Sequence, residues 1–162
     1  MIRAPALAAW AALSLLSGLG PWPGDRRPLQ GSLEAVLPDD GRPALIVFFS
    51  TGCPACFDDL LETVRFVREK GLGLTIVGVC GGPEAEIESF IEKYSVRVPI
   101  VRDGRGRIRR RFRVDLLPYK VVLAGGKEVY RDDYYLPLDE RSRRVRRCLI
   151  GLGAGSPPGS RS

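Results

Sequence analysis

Apolar residues in this chain fall in short blocks whose spacing switches between that of a strand and that of a helix. Ala44 to Ser50 is an almost unbroken apolar run, the pattern of a strand covered on both faces. From Cys56 to Lys70 the period changes. Leu60, Leu61, Val64 and Val67 recur at helical spacing, and Gly71 closes the pattern. Leu72 to Val79 reads as a second apolar strand, and Pro83 to Tyr94 as a second helix with Ile87, Phe90 and Ile91 on one face. Strand, helix and strand of this length imply a parallel pair joined by a right-handed crossover. Val98 to Val101 is short and extended, Asp103-Gly104-Arg105-Gly106 is a turn, and Ile108 to Phe112 is a short helical turn. Tyr119–Ala124 and Glu128–Arg131 are strands joined at Gly125-Gly126, the pattern of a hairpin. Asp139 can cap a last helix running to about Leu149.

These blocks divide the chain into four parts. Residues 1–20 begin Met1-Ile2-Arg3 and continue as an apolar stretch from Ala4 to Leu19. A short basic start before such a stretch is the pattern of an export signal. Pro21 would follow a cut at Gly20, which disfavours cleavage, so an uncleaved anchor through residues 4–19, with Trp22 at the interface, is the alternative. Residues 21–37 open with a Pro-, Gly- and Arg-rich run and read as a linker, 38–150 as the folded domain, and 151–162 as a disordered tail.

Charge and composition narrow the chemistry. The 162 residues carry 25 Lys+Arg against 19 Asp+Glu. The excess lies in two arginine clusters, Arg105, Arg107, Arg109, Arg110, Arg111 and Arg113, then Arg141, Arg143, Arg144, Arg146 and Arg147. Such clusters suit an acidic partner, anionic lipid or nucleic acid, or are solvated helix faces. Apart from Phe112 they lack interleaved aromatic residues, so nucleic acid is not expected. There is no histidine, which excludes Ser-His and Cys-His catalysis and any metal site built on imidazole. Four cysteines are too few for a disulfide scaffold in a chain of this size.

Two of the four form Cys53-Pro54-Ala55-Cys56, between the first strand and the first helix. A helix N-terminus carries partial positive charge and unpaired N–H groups, which favour a thiolate over a thiol. Cys53 can therefore act as a nucleophile with a depressed pKa, and Cys56 is close enough to resolve the mixed disulfide that forms. Pro54 suits the first helical turn, where its missing N–H costs nothing. A metal at this pair would need two more ligands, with only Cys80 as candidate, so no cofactor is expected beyond the redox-active disulfide itself. Cys80, at the end of the second strand, shares the pole of Cys53. It is either a third redox thiol or a small buried apolar residue. Cys148 belongs to the last helix, too far from Cys80 for a bridge.

The order of elements, the placement of the dithiol and Leu117-Pro118-Tyr119 before the hairpin resemble the thioredoxin superfamily. Within it, the stretch Asp103-Gly104-Arg105-Gly106-Arg107-Ile108, then Phe112, Val114, Leu117-Pro118 and Val121-Val122-Leu123, is similar to exported, membrane-associated thiol–disulfide oxidoreductases of the TlpA/ResA type. The likeness runs over about residues 38–150. It implies an α/β thioredoxin fold: a mixed central sheet, built from a parallel β-α-β unit plus a C-terminal hairpin and helix, with helices on both faces. It implies a cis-proline at Pro118 facing the dithiol, with the backbone of Leu117 open to an extended substrate peptide and Gly52 and Pro54 flanking the contact. Gly52 stands where the family usually has Trp, and Val47 where thioredoxins bury an Asp. Glu84 is the nearest match to the glutamate that this type carries near its dithiol, a candidate proton relay or else an exposed first-turn glutamate.

The activity so implied is extracytoplasmic thiol–disulfide exchange at the periplasmic or outer face of the cytoplasmic membrane. The direction implied is reducing, on protein cysteines such as those of an apocytochrome awaiting haem, with a membrane electron donor restoring the dithiol. The missing Trp and Asp keep open a second reading, a non-catalytic thioredoxin-fold module that binds a partner in a maturation or membrane complex. A peroxiredoxin would need Pro-x-x-x-Thr-x-x-Cys, and Thr51 is only two residues before Cys53.

Overall fold

Six strands form one sheet in the computed structural model, which describes residues 29–154. In chain order the elements are β1 (Leu29–Gln30), β2 (Ala44–Phe49), α1 (Pro54–Glu69), β3 (Thr75–Cys80), α2 (Glu84–Lys93), β4 (Ile100–Arg102), α3 (Arg107–Arg111), β5 (Tyr119–Ala124), β6 (Lys127–Arg131) and α4 (Leu138–Ala154). The sheet order is β1-β4-β3-β2-β5-β6. Strands β1, β4, β3 and β2 run parallel, and β5 and β6 join antiparallel. This is the thioredoxin fold expected from the chain, with β2 buried at every residue.

The two faces of the sheet carry separate cores. Leu45, Val47 and Phe49 pack with Leu60 and Val67 of α1, Ile87, Phe90 and Ile91 of α2, and Val145 and Leu149 of α4. Ile46 and Phe48 face the other way, under Ile108, Phe112 and Val114 around α3 and under Leu33. Burying both faces of β2 explains its unbroken apolar run. On the first face Gly78 leaves room for its neighbours. A Cβ there would lie 2.5 Å from Ile100 Cδ1 and 2.9 Å from Phe49 Cε1.

Several boundaries differ from expectation. The domain starts earlier than 38, because Leu29–Gln30 pair with Val101–Arg102 and Leu33 is buried, so residues 29–37 belong to the fold. β3 begins at Thr75, because Leu72–Leu74 form the return from α1, with the Leu72 N–H donating to the Val67 carbonyl. α1 begins at Pro54, with Cys53 as its N-cap. α4 begins at Leu138, so Asp139 lies inside its first turn. α4 also runs past Leu149 to Ala154, because Leu152 still packs on the core and so draws part of the expected tail into the helix. The signal or anchor segment, residues 1–20, and the remainder of the tail lie outside the described residues. Among the described residues no helix is long and apolar enough to cross a membrane.

Candidate active site

The parallel strands β2 and β3 end together, with Phe49 opposite Cys80, and this end of the sheet holds the cysteine pair. After Phe49 the chain turns through Ser50-Thr51-Gly52, the Cys53 N–H donating to the Ser50 carbonyl at 3.2 Å. Cys53 is the N-cap of α1 and Pro54 its first residue. The Cys53 Sγ accepts the Cys56 N–H at 3.2 Å, one of the donors that a helix start leaves open. No acidic residue lies in the first turn to oppose negative charge on sulfur. The two cysteines are bonded, with S–S 2.22 Å and Cα atoms 5.2 Å apart. They differ in access, since Cys53 is half-buried and Cys56 fully buried.

Gly52 and Pro54 are exposed on either side of Cys53. A Cβ at Gly52 would meet nothing within 4 Å, so a side chain could leave the backbone there without a clash. Leu117-Pro118 is a cis peptide. Phe48 pairs with Tyr119, so Pro118 lies at the strand end from which the dithiol loop leaves, and Leu117 and Cys53 pack on the same core cluster.

The fold places the other expected residues less centrally. Glu84 sits in the first turn of α2, 3.7 Å from the Arg102 guanidinium. Glu86 reaches the dithiol loop, its Oε2 accepting the Thr51 hydroxyl at 3.4 Å. Cys80 is buried beneath this loop, with the N–H groups of Gly82, Thr51 and Gly81 around its sulfur. Burial is the largest influence and pushes its thiol pKa up. That environment gives Cys80 the character of a small core residue. Cys148 is also free, half-buried on α4, its thiol likewise raised by burial. Among the described residues no group of three or more His, Cys, Asp or Glu could hold a metal ion.

One feature of the site was not anticipated. Lys120 is entirely buried, and its Nζ lies 2.7 Å from Oδ1 and 2.6 Å from Oδ2 of Asp59, itself buried on α1. Asp59 follows Cys56 by three residues, so the two share the inner face of the helix, neighbours one turn apart. Lys120 is paired across the sheet with Val47, where thioredoxins bury their Asp, so the buried charge enters from the adjacent strand. The Ser142 hydroxyl donates to Asp59 at 3.2 Å.

A second carboxylate, Asp132, continues the network. Its Oδ2 accepts the Lys120 N–H at 3.0 Å and its Oδ1 the Tyr130 hydroxyl at 2.8 Å. Desolvation pushes the Asp132 carboxyl above the usual range against the pull of Lys120, Tyr130 and Arg141. The Arg141 guanidinium donates to the Pro118 carbonyl at 2.9 Å and lies 3.8 Å from Asp132. Four buried or nearly buried charges thus bind the helix of the dithiol, the cis-proline strand and α4 together. The sequence held one signal for this. Asp59 falls on the apolar face of its helix and Lys120 inside an apolar strand, places where a charge survives only with a partner.

Comparisons with known proteins agree with this architecture. A sequence model of the AhpC/TSA family matches residues 30–129. A "Thioredoxin-like protein" of Haemophilus influenzae is 28% identical over 102 residues, which are 61% of this chain and 59% of that protein. This chain thus matches less than two thirds of the relative's length. Among solved structures, DsbF of Mycobacterium tuberculosis superposes with a TM-score of 0.58 at 21% identity, covering 74% of this chain and 84% of the other. A secreted M. tuberculosis disulfide oxidoreductase homologous to E. coli DsbE gives 0.53 at 22% identity, covering 70% and 84%. At such identities these structural likenesses establish the fold.

Proposed function

The chain belongs to the AhpC/TSA family, and from that premise we propose that it is an extracytoplasmic thiol–disulfide oxidoreductase that reduces protein disulfides through Cys53 and Cys56. The observation that carries the reading is the asymmetric pair at the tip of α1. One sulfur is reachable and caps the helix, its partner is sealed behind it, and a cis-proline loop lies at the same strand ends.

The exchange runs in two displacements. In the reduced protein the Cys53 thiolate attacks one sulfur of a substrate disulfide. A Cys53–substrate disulfide forms, and the substrate's other sulfur leaves as thiolate and takes a proton. Cys56 then gives up its proton and attacks the Cys53 sulfur. This forms the Cys53–Cys56 bond of the described state and releases the second substrate thiol. The substrate gains two electrons and two protons, which the dithiol loses and an electron donor at the membrane must restore. Asp59, one helical turn from Cys56 and salt-bridged to Lys120, is the carboxylate best placed to exchange the Cys56 proton. The backbone of Leu117 and the open space at Gly52 receive the substrate chain.

The setting is the periplasm or the outer face of the cytoplasmic membrane, supported by the export-type pattern of residues 1–20 and by the similarity in fold to a secreted oxidoreductase of M. tuberculosis. Apocytochrome cysteines awaiting haem fit as substrates of that compartment. Insulin reduction by the soluble protein tests the activity. The native dithiol should turn over, Cys53→Ala should abolish it, and Cys56→Ala should accumulate a mixed disulfide with the substrate. Unchanged turnover in Cys53→Ala would reject the mechanism. Inactivity of the native protein would favour the non-catalytic binding module.

A further inference from the structure

The two arginine clusters look alike in the sequence and differ in the fold. Every arginine of the α4 cluster has a partner. Arg143 and Arg144 bond Glu140, Arg147 lies 3.6 Å from it, Arg146 reaches Glu62, and Arg141 holds the Pro118 carbonyl. Each guanidinium of that cluster is thus engaged within the molecule, three of them at the one Glu140 carboxylate. Around α3, three arginines are likewise engaged. Arg109 donates to the carbonyls of Val114 and Asp115, Arg110 to that of Arg105, and Arg111 to Glu34. The other three, Arg105, Arg107 and Arg113, are exposed, and their side chains have no partner among the described residues.

These free guanidinium groups sit on a fixed support beside the dithiol pole. The buried Asp103 carboxylate accepts the Ile108 and Arg109 N–H groups at 3.1 and 2.9 Å, which pins the start of α3. Arg109, Arg110 and Arg113 border an open groove of about 550 Å³ with Val114 and Asp115, and the chain leads from there through the exposed Leu116 into Leu117-Pro118. Arg113 has φ +54° and closes α3, its N–H donating to the Arg110 carbonyl and the Val114 N–H to that of Arg109. This is the left-handed position where helices favour glycine. An arginine held there loses stability relative to glycine and gains a cation beside the cis-proline loop.

We propose that Arg105, Arg107 and Arg113 form a docking surface for an acidic segment of the substrate protein next to its reacting cysteine. The proposal rests on the oxidoreductase reading above and adds the charge of the substrate it selects. Arg113 borders the groove and stands four residues before Leu117, so a substrate segment lying along Leu117 and Leu116 would reach it, which favours the substrate protein over a lipid surface as the partner.

The test compares three disulfide-bridged peptides of equal length, flanked by Glu, by Lys or by Ser, as substrates of the reduced protein at low and high salt. Steering by an unpaired cationic surface should favour the Glu peptide over the Lys peptide about tenfold at low ionic strength, and high salt should erase the difference. Replacing all three with glutamate (Arg105→Glu, Arg107→Glu, Arg113→Glu) should invert the order while the Ser peptide is still reduced. Arg113→Gly should melt at a higher temperature and lose part of the preference, which separates docking from a structural role. Equal rates for the Glu and Lys peptides, or a preference that survives triple replacement, would overturn the proposal. So would a native protein whose peptide rates are equal but whose Arg-dependent binding goes to anionic vesicles. Failure to reduce even the Ser peptide would instead overturn the oxidoreductase reading.

Discussion

Removing one partner of the Lys120–Asp59 pair should destabilise the fold far more than removing both. The side chains are 0% and 4% exposed, and their atoms approach to 2.6 Å. Asp59→Leu strands an ammonium in the core and Lys120→Met strands a carboxylate, each costing about 3–5 kcal/mol. With a urea slope of about 2 kcal/mol/M, each single change lowers the unfolding midpoint by about 2 M. The double variant leaves no charge behind. Its cost reduces to the lost Ser142 hydrogen bond, about 1 kcal/mol, and to imperfect packing, so the coupling energy of the cycle is at least about 3 kcal/mol. The backbone of Lys120 stays tied to Asp132 through N–H and carbonyl in every variant, which keeps the strand in register. Urea unfolding of the oxidised chain measures all four corners. A double variant as unstable as the two single losses added together would refute the pair as an interacting unit. The same variants carry a redox readout. In a Cys53→Ala background the pH profile of Cys56 alkylation should move to lower pH in Asp59→Leu, because the remaining cation favours thiolate. It should move to higher pH in Lys120→Met, because the remaining anion opposes it. Profiles that coincide would remove Asp59 from the proton exchange while leaving its structural role intact.

The buried Cys80 thiol has its pKa raised above its ordinary 9.0, so the unfolded chain loses this proton first and stability should fall as pH rises past about 9. Denaturation midpoints at pH 8 and pH 10 should converge in Cys80→Ala relative to the native chain, and an unchanged alkaline slope would refute the placement. In the reduced protein at pH 8, mass-resolved alkylation should reach Cys53 well before Cys80. Gly78→Ala should cost about 1–3 kcal/mol by thermal unfolding, because the new Cβ meets Ile100 and a Phe49 ring already held 5.4 Å from that of Phe90. A neutral result would mean that the ring has room to move. Hydrogen peroxide should not be consumed catalytically, since Ile46 and Ser50 occupy the positions that Pro-x-x-x-Thr-x-x-Cys requires before Cys53. Sustained peroxide turnover would reopen the peroxiredoxin reading.

Patterns that depend on neighbours in sequence were legible in advance. β2 is visible because both its faces are covered, the dithiol because spacing and helix start coincide, and Pro118 because it precedes a strand in a known order of elements. What escaped was set by contacts between distant segments. β1 is only two residues long and exists because Leu29 and Gln30 meet β4, while its own stretch of chain reads as linker. The last turn of α4 depends on Leu152 finding the core, which a Gly-rich sequence conceals. Glu84 is open from the sequence to two readings, a proton relay or an exposed first-turn glutamate; it lies in the first turn of α2, 3.7 Å from Arg102, while Glu86, which the sequence did not single out, meets the dithiol loop at Thr51.

The buried pair shows why a residue-by-residue reading of the active site stops short. Thioredoxins bury a carboxylate in the strand that leads to the dithiol, and Val47 at that position suggests that the function of the charge has been lost. Asp59 alone reads as one acid in a helix rich in charges, and Lys120 alone as an odd cation in an apolar strand. Their side chains meet across 61 residues of sequence only because Lys120 registers against Val47 while α1 crosses that same face of the sheet. A lone cation at 120 or a lone anion at 59 would be too costly to bury. Each charge therefore requires the other. Since Asp59 is one turn from Cys56 and Lys120 is two residues from Pro118, the pair that makes burial tolerable also fixes the two halves of the site against each other.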